Sequence, residues 1–143
     1  MQAPITVREI TTIEEMLRYH SIIQQLSPAL CFQDYEELLQ LMIPNNYHMA
    51  GAYESDVCIG ISGYWLGAKL YSGKYIEIDN FVIDEAHRSK GAGKLLLDWM
   101  LEEARKFGCK HAMLDAYVEN FKAHAFYYRE GFIARGFHYL KKL

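Results

Sequence analysis

The stretch FVIDEAHRSKGAGKLLLDW, residues 81 to 99, constrains this chain more than any other. It joins an apolar β-branched run to a loop carrying His87, Arg88, Lys90 and two glycines, Gly91 and Gly93. A helical pattern follows, with Leu97, Met100, Leu101, Ala104 and Phe107 at i, i+3, i+4 and i+7 spacing and Gly108 as its stop. Amide groups at a helix start lack partners, and small residues there let an anion approach them closely. The loop therefore reads as an anion cradle between a strand and a helix. Two familiar phosphate loops fail on spacing. A P-loop needs glycine where Arg88 stands and Ser or Thr where Leu95 stands; a dinucleotide fingerprint needs glycine in place of Leu96.

The remaining chain sets this unit in a mixed order. Ile5 to Ile10 alternates and predicts a strand, and Thr11 or Thr12 caps a helix running to about Leu26, ended by Pro28. A second helix, Phe32 to Ile43, stops at Pro44. Tyr47 to Ile83 is broken by short turns at "ESD" and "YSGK" and reads as three antiparallel strands. After the long helix come a strand in "CKHAMLDAYV", a short helix in "NFKAHAFYYRE" capped by Asn120 and stopped by Gly131, and a final strand or strand pair in "FIARGFHYLKKL". The order β α α β β β α β α β predicts an α+β (mixed α/β) sheet with helices on its faces. The strand ending at Ile83 and the one starting at Cys109 should be parallel, joined by a right-handed crossover. At 143 residues, one domain spanning 1–143 is expected.

Composition narrows the partners. A net charge of −3 supplies no clustered basic surface, which argues against nucleic acid. No apolar run approaches the ~20 residues needed to cross a bilayer, and the N-terminus lacks a basic-then-apolar leader, so a cytoplasmic protein is expected. Cys31, Cys58 and Cys109 show no paired spacing, which predicts reduced, mostly buried thiols. The six histidines form no ligating set, so no metal site is expected.

The loop contributes RxxGxG through Arg88, Gly91 and Gly93, and downstream Asn120, Ala123, Phe126, Tyr127, Gly131 and Phe132 write NxxAxxFYxxxGF. Taken alone, "RSKGAG" could be an ordinary strand-to-helix turn. Together the two signatures resemble those of the GNAT superfamily of acyl-CoA-dependent N-acyltransferases, and the likeness covers essentially the whole chain. The resemblance implies a splayed, mainly antiparallel sheet of six to seven strands flanked by about four helices. It implies that amides of Ser89, Lys90, Gly91, Ala92, Gly93 and Lys94 hold the pyrophosphate of acetyl-CoA, with Arg88 and Lys90 or Lys94 adding charge. It further implies that Phe81, Val82 and Ile83 pair with the pantetheine like an added strand. Homodimers occur among similar proteins, so a dimer is a further expectation.

Acyl transfer to an amine needs a neutral amine, a polarised carbonyl and a proton for the departing thiolate. Glu77 and Asp79 alternate with Ile76 and Ile78 and so share one face of a strand. Glu77 lies at the position resembling the family's catalytic glutamate and is the first candidate base; Asp79 is the second. Two successive polar residues, Asp79 and Asn80, interrupt the alternation and predict a bulge. Tyr127, rather than its neighbour Tyr128, stands where the resemblance places a general acid. Asn120 either bonds the CoA chain or is an ordinary helix cap. Asp115 and Glu119 either join the two carboxylates of the central strand in an acidic acceptor site or belong to a solvated sheet face. The expected activity is transfer of an acetyl group from acetyl-CoA to a primary amine by direct attack. The alternative is a non-catalytic CoA-binding or sensing module of the same fold.

Overall fold

The computed structural model describes residues 3–143. Five strands, β1 (Ile5–Ile10), β2 (Tyr47–Glu54), β3 (Val57–Lys69), β4 (Gly73–Ile83) and β5 (His111–Leu114), form one sheet in the order β1-β2-β3-β4-β5. The first three pairings are antiparallel and β4–β5 is parallel, as the helical crossover between them requires. Helices α1 (Ile13–Arg18), α2 (His20–Leu26) and α3 (Phe32–Met42) cover one face, where Met16, Ile23, Tyr35 and Leu39 pack on Met49, Ile61 and Val82. Helix α4 (Ala92–Phe107) covers the other, inserting Leu96, Leu97 and Met100 against Ile76 and Ile78. Helix α5 (Phe121–Arg129) adds Phe126 to that second layer.

Three expectations change. The first predicted helix is broken at Tyr19, whose residue caps both α1 and α2 and lets them turn over the sheet end separately. The sheet has five strands, because the final segment 132–143 forms no strand and makes no ladder with β5. The thiols are less buried than expected: Cys31 is exposed, its sulfur serving α3 as a cap by accepting from the Asp34 N–H at 3.5 Å, and Cys58 and Cys109 are half-buried.

The bulge in β4 is real, and its location matters. Register runs Gly63 to Asp79 but Ile61 to Val82, so β4 holds one extra residue there. Asn80 absorbs it in the left-handed region, at φ 53°. Ile76 and Ile78 face α4 before the bulge, and Phe81 and Ile83 face it afterwards, while Val82 turns to the opposite layer. On its far side β4 is paired with β5 only from Tyr75 to Ile78. From Asp79 to Ile83 that edge is open, and this opening leads to the loop before α4.

Candidate active site

The loop after β4 is shaped to present backbone donors. Ser89 and Gly91 both take positive φ, 66° and 83°, and Gly91 is the N-cap of α4. A serine in that region costs energy unless its surroundings impose it, and such strain concentrates at functional sites. The first intrahelical bond of α4 runs from Leu95 N–H to the Gly91 carbonyl at 3.3 Å. The amides of Ala92, Gly93 and Lys94 therefore have no partner among the described residues. A Cβ on Gly91 would meet nothing within 4 Å, so the space before the helix is open. Open space, free amides and a helix N-terminus together suit an anion such as a pyrophosphate.

The cations of this loop are already engaged. Lys90 Nζ lies 3.2 Å from a Glu54 carboxylate oxygen and 3.1 Å from His87 Nδ1. Lys94 Nζ lies 2.8 Å from Glu130 and 3.3 Å from Asp98, and Arg88 donates its Nε to the Ile83 carbonyl at 3.3 Å. Sequence reading identified the three cations and missed Glu54 and Glu130, each 36 residues from its lysine. No local pattern could have revealed those carboxylates.

Glu77 and Asp79 lie on the α1–α3 side of the sheet, with Trp65 directly across from Glu77. Burial, then the nearby Asp115 carboxylate, push the Glu77 carboxyl above its ordinary 4.5; Asp79 adds to the effect, while Lys69 and His138 oppose it. Asp79 is held instead by the indole of Trp65, which donates to its Oδ2 at 2.9 Å. Beside the bulge, the Tyr47 hydroxyl donates to Asn80 Oδ1 at 3.2 Å, fixing the side chain of the left-handed residue. Trp65 and Tyr47 were not anticipated as site residues, although both occur in strand texture where aromatic residues are unremarkable. A small cavity of about 90 Å³ lies next to Asn80, walled by Tyr35, Tyr47, Leu30, Leu38 and Met42.

Tyr127 reaches the open edge of β4 through a cluster of rings. Its centroid is 6.2 Å from Phe81, 5.3 Å from Phe126 and 5.5 Å from Phe132. Burial pushes its phenol up to about 12, so it remains protonated and able to donate at neutral pH. Asn120 is the N-cap of α5, its Oδ1 accepting from Ala123 N–H at 3.2 Å. Phe81 and Ile83 also border Gly93, where an added Cβ would sit 3.6 Å from Phe81 Cζ. Strand end, cradle and tyrosine thus converge on one opening. Among the described residues no cluster of metal-ligating side chains occurs, and no helix is long and apolar enough to cross a membrane.

Known proteins share this fold. The chain is 28% identical over 124 residues to the uncharacterized N-acetyltransferase YhdJ of Bacillus subtilis, covering 86% of this chain and 87% of that protein. It is 28% identical over 140 residues to the aminoalkylphosphonate N-acetyltransferase of Salmonella typhimurium, covering 96% and 90% respectively. The crystal structure of aminoglycoside N-acetyltransferase AAC(6')-Iy in complex with CoA superposes with a TM-score of 0.85 at 16% identity, over 100% of this chain and 98% of that one. The model of the Acetyltransferase (GNAT) family matches residues 13–132, a span that takes in the cradle, the bulged strand and Tyr127. The chain belongs to the GNAT family and is an N-acetyltransferase.

Proposed function

We propose that this protein transfers the acetyl group of acetyl-CoA to a primary amine, with both substrates bound together. One observation carries the reading: a carboxyl raised by burial and by neighbouring acids stands on the strand that leads into the amide cradle. Ala92, Gly93 and Lys94 amides, with those of the loop from Ser89 to Gly91, hold the donor's pyrophosphate. Arg88, Lys90 and Lys94 add charge beside it, and Asn120, whose Oδ1 caps α5, bonds the CoA chain through its side-chain N–H. The open β4 edge at Phe81, Val82 and Ile83 receives the pantetheine as a strand would. The donor supplies an activated thioester carbonyl.

Glu77 takes a proton from the incoming ammonium, directly or through water, leaving a lone pair on nitrogen. A carboxylate with raised pKa is a better proton acceptor near neutrality than an ordinary one. Asp79, tied to Trp65, holds negative charge beside the acceptor and is the second candidate base. The new bond joins nitrogen to the acyl carbon, and nitrogen then gives up its second proton, through water, to the departing sulfur; the bond that breaks joins the acyl carbon to that sulfur, which leaves with the electron pair and is released as the thiol. Tyr127 directs its O–H to this sulfur. A phenol near 12 facing a thiol that ordinarily titrates at about 8.5 would transfer its proton uphill, so Tyr127 stabilises the thiolate chiefly as a hydrogen-bond donor.

The acceptor is a cationic amine, favoured by the acidic group of Glu77, Asp79 and Asp115. Aminoalkylphosphonates, which name the Salmonella relative, belong in the first panel. The test is acetyl-CoA-dependent thiol release across aminoalkylphosphonates, aminoglycosides, polyamines and peptides, with both substrates varied. Intersecting double-reciprocal lines are expected. Parallel lines would indicate an acetylated enzyme and overturn direct attack, and absence of acceptor-dependent release across the panel would overturn the acceptor class.

A further inference from the structure

The cradle opens α4 on one face of the sheet, yet the loop that feeds it is held from the other face. Among the described residues, one side chain of α1–α3 is hydrogen-bonded to that loop, and it is Gln25 in the last turn of α2. Its Nε2 donates to Asp84 Oδ1 at 3.2 Å, and its Oε1 accepts from the Glu85 N–H at 2.9 Å. Both ends of the carboxamide are used. Turning it over would set N–H against N–H and carbonyl against carboxylate, so only one orientation fits. Ile22 and Ile23 bury the adjoining face of α2 in the core, and Gln25 therefore reaches the loop from a fixed post.

Asp84 and Glu85 begin the single turn Glu85–His87 that leads into the cradle. The Asp84 N–H donates to the Ile59 carbonyl at 2.8 Å, and its carbonyl accepts from the His87 N–H at 2.8 Å. Its Oδ1 also accepts from the Ala86 N–H at 3.2 Å, capping the turn. Two residues past this turn stands Ser89, at φ 66°. A left-handed serine persists only where its surroundings over-determine it. Without Gln25, the turn keeps its own cap and the Ile59 bond, and loses its tie to the helical layer.

We propose that Gln25 is a positioning residue for the donor. It fixes the turn from which Ser89, Lys90 and Gly91 present their amides to the CoA pyrophosphate. Holding a loop in its bound conformation strengthens binding by removing the cost of ordering it. The inference rests on the reading of this loop as the CoA cradle. Gln25 acts through Asp84 and Glu85 and touches no reacting atom.

The test is the Kd for CoA, measured by titration calorimetry on the full chain, which requires no acceptor. Gln25→Leu should weaken CoA binding by about 3- to 10-fold, the worth of exposed hydrogen bonds, with an unchanged melting temperature. Gln25→Glu should weaken it as well, because it sets a carboxylate against Asp84. Adding Asp84→Asn to Gln25→Glu reverses the polarity of the pair at constant net charge. The new amide donates to the new carboxylate, the Glu85 N–H keeps an acceptor, and Ala86 keeps its cap. This double variant should bind CoA within about twofold of wild type. Failure of the double variant to recover overturns the proposal, as does wild-type affinity in Gln25→Leu. A wild-type chain that binds no CoA removes the cradle reading itself, and the proposal with it.

Discussion

Gly63 is the position at which the smallest possible change should damage both fold and site. A methyl group there would lie 2.5 Å from Cε1 and Cζ of Tyr47 and closer still to its hydroxyl. Real Cβ contacts do not come that close, so the ring must move. Tyr47 has nowhere to go: it is 3% exposed, packs edge-on against Trp65 at 5.0 Å, and bonds Asn80 through its hydroxyl. Overpacking a core position costs about 1–3 kcal/mol, and losing the hydroxyl bond to Asn80 adds about 1 kcal/mol. Gly63→Ala should therefore lose roughly 2–4 kcal/mol by urea titration, and its melting temperature should fall by roughly 6–14 °C for a chain of this size. Displacing Tyr47 also releases the side chain that shapes the β4 bulge, so KM for acetyl-CoA should rise as well. Tyr47→Leu removes the obstacle, and the double variant should be less damaged than the two single losses added together. A Gly63→Ala protein within ~0.5 kcal/mol of wild type would refute the reasoning. Strict additivity with Tyr47→Leu would do the same.

Glu77→Gln should lower kcat/KM at pH 7 by about 10²–10⁴-fold, with the deficit narrowing as pH approaches the amine's own pKa near ~10.4. A deficit independent of pH would show that Glu77 positions the acceptor without removing its proton. The wild-type acid limb should fall above the ordinary carboxylate value of 4.5, and Asp115→Asn should move it downward, since Asp115 helps to raise Glu77. Tyr127→Phe should cost about 10–10²-fold in kcat, the worth of one hydrogen bond to a charged group, with KM for the donor nearly unchanged. Glu15 accepts from Arg8 at 2.6 Å and from the hydroxyls of Tyr19 and Tyr53 at 3.0 Å, and the Arg8 bond chiefly lowers its pKa from 4.5 to about 2. A lowered carboxylate stabilises the fold above pH 4.5 and loses that contribution as pH falls toward 2. Glu15→Gln should therefore be less stable at neutral pH by about 1–2 kcal/mol, discounted for the exposure of Arg8, and should show a flatter acid transition in that window.

The parts of the fold that sequence made legible are those with local causes. Helix α4 was readable because its apolar spacing, its glycine stop and its glycine start all agree. The meander and its turns followed from period-2 texture, and the bulge followed from two polar residues in succession. The break at Tyr19 was not legible, since the apolar spacing continues through it and only packing on the sheet separates α1 from α2. The last segment misled for the opposite reason: its alternation is that of a strand, but a strand exists only with a neighbour. In the candidate site, Glu77 and Tyr127 were named from their positions relative to a motif, and Asp79 from sharing the strand face of Glu77. Trp65 on Asp79, Tyr47 on Asn80 and Glu54 on Lys90 depend on strand register and long-range packing, which no local spacing encodes.

The carboxylates that occupy the loop lysines set how donor binding should respond to ionic strength. With Glu54 on Lys90 and Glu130 and Asp98 on Lys94, both lysine charges of the cradle are compensated, while Arg88, bonded to the neutral Ile83 carbonyl, keeps its own. Recognition then falls to backbone amides fixed in direction, whose short-range bonds are screened far less by salt than the long-range field of exposed charges. Donor affinity should accordingly change little between low and physiological salt. Glu54→Gln, which releases Lys90, should both tighten binding at low salt and make it salt-sensitive, a trade of constancy for strength.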